Sequence, residues 1–277
     1  MNLTKTLRAA RMGNQHIVTP RLKAFMRDNP NLVVEPWVAE KISEQITKQP
    51  RVRSGSFSSS SAGDCPRKQI FQYQGIEPEH PVSATVQNIF YDGTWRHLRW
   101  QAVLLQAGII TEIEYPLPWE EMNSVGTMDG LGVVPDDHPN EKWRELEFGW
   151  ELKGANTYAF KSAVSLPAPP AKYNPQVHRY FLSGGFDLFV FIMEDKNTQE
   201  WAEWVVEPDE KILDEQREEL EMLNGYVARQ EIPPMLDGCR AGTDPRWAKG
   251  WCPFAGNGGV CVRTNTWEEG RDEDTDA

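Results

Sequence analysis

Asp129, Glu151 and Lys153 are the residues of this chain whose types and spacing point most directly to chemistry. Glu151-Leu152-Lys153 closes a segment of strand character. The two-residue period of a strand puts Glu151 and Lys153 on one face, roughly 7 Å apart. Asp129 lies in the preceding strand-like segment, within Gly126-Thr-Met-Asp-Gly-Leu-Gly132. Neighbouring strands run about 5 Å apart, so an antiparallel pair brings both carboxylates to one cation. Magnesium usually takes one or two carboxylates and completes its shell with waters and substrate phosphate. Held this way it acidifies a bound water and neutralises charge on the attacked phosphate. Lys153 would orient that water or stabilise the developing charge. Taken alone, an E-x-K pair is a solvated charge pair on a strand face, and an Asp among glycines is a turn.

The elements that must position these residues follow from periodicity. Thr85 to Ala107 suits a helix, with Val86, Ile89, Phe90, Trp95, Leu98, Val103 and Leu104 at three- and four-residue steps and Gly93 as a weak point. Three strands are expected at 109–118, 125–134 and 146–152, each bounded by turn residues. A Pro-rich loop, 165–175, leads to a helix that Asn174 is expected to cap with Pro175 at its first position. Strands at 186–193 and 200–206 precede a charged amphipathic helix, 208–230, with Ile212, Leu213, Leu220, Leu223 and Val227 inward. The expected order is helix, three strands, helix, two strands, helix: an α/β sandwich with a mixed sheet. Residues 1–53 read as a basic, mostly helical arm broken near Asn29-Pro30, and 54–63 as a turn-rich stretch.

The formal charge of −12 argues against a uniformly basic surface, but its distribution is uneven. Residues 1–53 carry 10 Lys and Arg against 4 Asp and Glu, whereas the tail from Glu268 carries 6 acids against Arg271 alone. Local patches and bound metal, rather than global charge, decide contact with phosphates. The acidic, apolar-poor end of the chain (265–277) is expected to be disordered. No apolar run of membrane-spanning length and no secretory h-region occurs, so a soluble, cytoplasmic protein is expected. The 4 cysteines, Cys65, Cys239, Cys252 and Cys261, are either buried thiols or one four-thiolate metal site. Their spacing lacks the short C-x-x-C knuckle and by itself favours neither zinc nor an iron–sulfur cluster.

Read in series, six pieces resemble one family. Ser60-Ser-Ala-Gly-Asp-Cys65-Pro-Arg is similar to the S-x4-C-P-R/K opening of RecB-like exonucleases of the PD-(D/E)XK superfamily that carry an iron–sulfur cluster. These include the AddB nuclease domain and single-domain CRISPR-associated exonucleases. Gly93-Thr-Trp-Arg-His97 resembles their helical His, Gly126 to Asp129 their G-x-x-D, and Glu151 to Lys153 their E-x-K. Gln176-Val-His-Arg-Tyr180 looks like the family's helical Q-x-x-x-Y, and three closing cysteines follow.

The resemblance spans about residues 55–264 and implies a restriction-endonuclease-like core with a C-terminal cysteine-rich region. It implies that His97, Asp129 and Glu151 hold Mg2+ or Mn2+ and that Lys153 is catalytic. Gln176 and Tyr180 would line the site beside the scissile strand. Cys65, Cys239, Cys252 and Cys261 would hold a 4Fe-4S cluster, with zinc as the alternative. The activity implied is exonucleolytic cleavage at DNA ends, single-stranded or free, in recombination or end processing. Trp95, Trp100 and Tyr158 are candidates for stacking on bases. No P-loop motif is present, so any unwinding falls to a helicase or recombination partner. The competing readings are a noncatalytic DNA-end adaptor and a zinc-stapled endonuclease. His80 and His178 match no family position.

Overall fold

The computed structural model describes residues 15–48, 55–78, 83–243, 252–255 and 259–267. His80 lies outside them. A six-stranded mixed sheet is flanked by helices. Strand β5 (Leu188–Asp195) is buried along its whole length. It is a central strand and reads as a continuous apolar run, LFVFIM, as strands covered on both faces do. β4 (Glu147–Ala155) runs parallel to it in register from Phe148 opposite Leu188 to Ala155 opposite Asp195. β6 (Trp201–Val206) pairs antiparallel on the far side of β5. β3 (Ser124–Val133) pairs antiparallel with β2 (Glu112–Trp119) and with β4. A two-residue strand, β1 (Phe57–Ser58), pairs parallel with Ser124 and Val125 of β3.

Period-two alternation along β5 divides the core. Val190 and Ile192 pack with Trp100, Leu104, Trp150 and Leu152 on one side. Phe189, Phe191 and Met193 pack with Met128, Phe160, Tyr180 and Trp204 on the other. Each large side chain so buried contributes about 1.5–3 kcal/mol.

The first described helices, α1 (Val18–Asp28) and α2 (Pro36–Thr47), belong to this core through Ile17, Val18, Leu22 and Val38. The chain between them leaves helix at Asn29, next to Pro30, as expected. Glu203 of β6 fastens the start of α1. Its carboxylate accepts the N–H groups of Ile17 (2.6 Å), Val18 (3.0 Å) and Thr19 (2.6 Å). An anion at a helix N-terminus satisfies orphan donors and complements the helix dipole.

Helix α3 (Pro66–Gln74) begins immediately after Cys65. Its buried Arg67 donates to the carbonyls of Pro233 (2.7 Å) and Cys261 (2.9 and 3.2 Å) and also to that of Thr264. One guanidinium therefore ties the start of the domain to its last described segment. Helix α4 (Ala84–Gln106) passes through Gly93 without a break and is capped by Ser83, whose hydroxyl accepts from Val86 N–H (3.3 Å).

Several expectations change in detail. The turn-rich stretch includes β1, because Phe57 is buried against Tyr73 and the α3 side of the core. A helix absent from the sequence reading, α5 (Thr157–Val164), follows β4; Asn156 caps it by accepting from Ala159 N–H (2.9 Å). Helix α6 (Asn174–Gly184) is not capped by Asn174, which is already helical because a 3-10 turn, Ala171–Tyr173, leads straight into it. Helix α7 (Glu210–Arg229) buries Leu213, Gln216, Leu220 and Leu223, with Ile212 and Val227 half-buried.

Candidate functional site

The site lies where β3 and β4 part. β4 pairs with β3 only from Gly130 to Val133, and β1 only at Ser124 and Val125. Between these, Gly126, Thr127 and Met128 pair with β2 alone, and Asp129 has no register partner. β4 continues beside β5 to Ala155, which leaves a fork between β3 and β4.

Side chains fill the fork. Asp129 Oδ2 accepts the N–H of Leu152 at 2.6 Å, taking the place of a ladder carbonyl. Its Oδ1 lies 2.8 Å from Nδ1 of His97 on α4. One turn along α4, Gln101 Nε2 donates to the Asp129 main-chain oxygen (3.0 Å). Tyr180 of α6 donates its hydroxyl to Thr127 O (3.1 Å) and accepts from Gln176 Nε2 (2.7 Å). Gln176 Nε2 also donates to Glu151 Oε1 (2.9 Å), as does Lys153 Nζ (2.5 Å). Gly126 is what lets Tyr180 enter. A Cβ there would stand 2.8 Å from both the Tyr180 ring and Ser59 Oγ.

The six candidates His97, Asp129, Glu151, Lys153, Gln176 and Tyr180 thus gather at the fork, linked through hydrogen bonds to each other or to its backbone. Trp100 is buried in the core, whereas Trp95 and Tyr158 are exposed. His178 is engaged elsewhere, between Asn174 O (2.8 Å) and Asp209 N (3.2 Å).

Burial penalises the charges of His97, Glu151 and Lys153, and their neighbours decide the outcome. Burial pulls the His97 imidazolium down, but Asp129 and Glu151 outweigh it and raise its pKa to about 9. Burial, then Asp129, pushes the Glu151 carboxyl up, while Lys153 and His97 pull against that rise. Lys153 is held above its ordinary value because Glu151 and Asp129 overcome its desolvation. Burial and the nearby Glu151 raise the Tyr180 hydroxyl well above its usual range. A neutral tyrosine hydroxyl is therefore a donor here, not a base.

Among the described residues, no group of three or more His, Cys, Asp or Glu side chains is assembled to hold a metal ion. His97 is turned onto Asp129 and Lys153 onto Glu151. One atom fits a cation nonetheless. Glu151 Oε2 is buried with no hydrogen-bond partner among the described residues. An unpartnered carboxylate oxygen beside a second carboxylate is a suitable donor set for a divalent ion that keeps most of its waters.

Of the cysteines, Cys65 precedes α3, Cys239 lies in a short helix at Asp237–Arg240, and Cys261 in another at Val260–Arg263. None is in a disulfide, and they are not gathered into a described metal cluster. Burial raises the Cys261 thiol, Arg67 lowers it, and the thiols of Cys65 and Cys252, within electrostatic reach, raise it further.

Two residues that border the fork escaped the sequence reading, Gln101 and Glu114, whose Oε1 accepts from Gln101 Nε2 (2.8 Å). Gln101 could have been found, since it lies one helical step of four from His97. Glu114 could not, because its signal is a backbone angle, φ 49°, in the middle of β2.

No family model and no curated protein matches the chain. Among solved structures, the chain is similar to LHK-Exo in complex with dAMP, at TM-score 0.47 and 14% identity, covering 64% of this chain and 90% of that one. It is similar to the alkaline exonuclease LHK-Exo from Laribacter hongkongensis at TM-score 0.41 and 14% identity, with coverages of 64% and 90%. A third similar structure is SSO0001, at TM-score 0.41 and 12% identity, with coverages of 78% and 91%.

Proposed function

We propose that this protein is a divalent-metal-dependent exonuclease that hydrolyses phosphodiester bonds at DNA ends. The observation that carries the reading is the fork. A carboxylate from β3, an acid and a lysine from β4, a histidine from α4 and a Gln–Tyr pair from α6 converge there, although up to 83 residues separate His97 from Tyr180 in sequence. A scaffold has no need of this set in one place.

Asp129 and Glu151 would hold Mg2+ or Mn2+, joined by His97 once its ring is neutral. The bound ion supplies Lewis acidity and an acidified water. Lys153 orients the attacking water and stabilises charge as it develops on the phosphate. Gln176 fixes the Glu151 carboxylate and, with Tyr180, forms the wall along the scissile strand. In the reaction the water oxygen bonds to phosphorus, the bond to the leaving sugar oxygen breaks, and a proton passes from the water to that oxygen.

Cys65, Cys239, Cys252 and Cys261 are proposed to hold a four-iron cluster that staples the ends of the domain. The electrostatic proximity of Cys65, Cys252 and Cys261 supports this, and iron and zinc analysis of anaerobically prepared protein tests it. One tightly held zinc per chain would replace the cluster with a zinc staple. DNA is the proposed partner, with unwinding left to a separate motor.

The test is digestion of end-labelled linear DNA and of closed circular DNA with Mg2+ or Mn2+. Linear DNA should be degraded and circles spared, and Lys153→Ala should slow the reaction by about a hundredfold or more while leaving a folded protein. Intact linear DNA under both metals would sink the reading. Retention of about half the activity by Lys153→Ala would remove that residue from the mechanism.

A further inference from the structure

The reading above uses two carboxylates, yet a third reaches the same fork. Glu114 and Asp129 both fall in the gap of the β2–β3 ladder between the pairs Ile113–Gly130 and Tyr115–Met128, where neither residue has a register partner on the other strand. Its backbone is left-handed at φ 49°. That region is sparsely populated for residues other than glycine, asparagine and aspartate, and its cost is retained mainly where a site requires it. Glu114 Oε1 accepts from Gln101 Nε2 at 2.8 Å. The same Gln101 nitrogen donates to the Asp129 carbonyl at 3.0 Å, so one amide bridges the two acids. Gln101 is fully buried and lies on the face of α4 that presents His97.

Both cationic side chains of the fork are already engaged. Asp129 is paired with His97 and Glu151 with Lys153. Among the described residues Glu114 has no ion-pair partner; His97 and Lys48 act on it only at longer range. Together with the unpartnered, buried Glu151 Oε2, this leaves carboxylate oxygens at the fork that no cationic side chain of the described residues contacts.

We propose that Glu114 is a third carboxylate of the cation site, acting beside Asp129 and Glu151. The inference rests on the metal-dependent reading of the fork, and its test separates the two. Glu114→Gln keeps a side-chain oxygen to accept from Gln101 and removes only the charge. A residue that merely props Gln101 would tolerate it; an anionic donor would not. Mn2+ titrations of the full chain, followed by loss of the free-ion electron paramagnetic resonance signal, give a readout independent of DNA cleavage. Glu114→Gln should weaken Mn2+ binding by about tenfold or more, a loss typical of a supporting group at a metal site, with an unchanged unfolding midpoint. Mn2+ affinity equal to wild type in Glu114→Gln, with wild type still binding Mn2+ and cutting DNA, overturns the inference and leaves the nuclease reading standing. A wild-type protein that binds no Mn2+ and cuts no DNA overturns both. Should Glu114→Gln fail to fold, Glu114→Asp, which keeps the charge on a shorter arm, must retain Mn2+ binding above that of Glu114→Asn, and equal affinities would overturn the inference.

Discussion

As a proposed ligand, His97 would have to lose a proton before its ring could coordinate a cation. Its pKa of about 9 makes it imidazolium at neutral pH, donating to Asp129. If His97 is a ligand as proposed, cation binding should therefore displace a proton. Mn2+ affinity should rise by about tenfold per pH unit below pH 9 and level off above it. Calorimetry in buffers of different ionisation enthalpy would measure the released proton, and affinity independent of pH would exclude His97 as a ligand. The stability linkage has the opposite sense. A group raised from 6.5 to about 9 on folding stabilises the metal-free chain fully below pH 6.5. That contribution is lost as pH rises through about 9. At this scale most of the site was legible. Strand period placed Glu151 and Lys153 together, and their side chains do meet at 2.5 Å. Glu114 was illegible because an acid in an ordinary strand has no pattern, and its distinguishing mark is conformational.

Helix α4 shows what periodicity reveals and what it leaves out. The spacing of Val86, Ile89, Phe90, Trp95, Leu98 and Leu104 is helical, and the helix forms. Leu98 and Leu104 are buried, yet Val86, Ile89, Phe90 and Trp95 are exposed. A period identifies residues that share a face, not whether another element covers that face. Trp95 is 60% exposed two residues before His97, and Tyr158 is 84% exposed just beyond β4. Either Trp95→Ala or Tyr158→Ala should weaken single-stranded DNA binding by about 1–3 kcal/mol per lost stacking contact without changing thermal stability. Trp100→Ala removes core and should instead cost about 3–5 kcal/mol of stability. Fluorescence anisotropy and denaturant unfolding on the same preparations separate these outcomes; unaltered binding in both exposed variants would rule out stacking there. Helix α5 escaped the reading for a related reason. Its 8 residues offer only two turns, too few for a period to emerge.

Across the whole molecule, the first and last described segments are each tied into the fold by a single buried ion. Glu203 holds the start of α1, and Arg67 holds the carbonyls of Pro233, Cys261 and Thr264. Deleting residues 1–53 would therefore remove Ile17, Val18, Leu22 and Val38 from the core along with the positive charge of the segment. Arg67→Met would leave three buried carbonyls unpaired and should cost on the order of 3–5 kcal/mol, with the cysteines untouched. Urea unfolding measures this, and a loss under about 1 kcal/mol would show that water or neighbouring donors replace the guanidinium. Arg67 and its last partner are 197 residues apart. At roughly 5–20 residues per second, synthesis delivers Thr264 about ten to forty seconds after Arg67. During that interval the sheet and its fork can assemble while the corner around Phe71 has no closing strand of backbone to receive its cation. The fork can thus form before Arg67 meets its last carbonyl partner, and a chain ending short of Thr264 should be cut more readily near Phe71 in limited proteolysis.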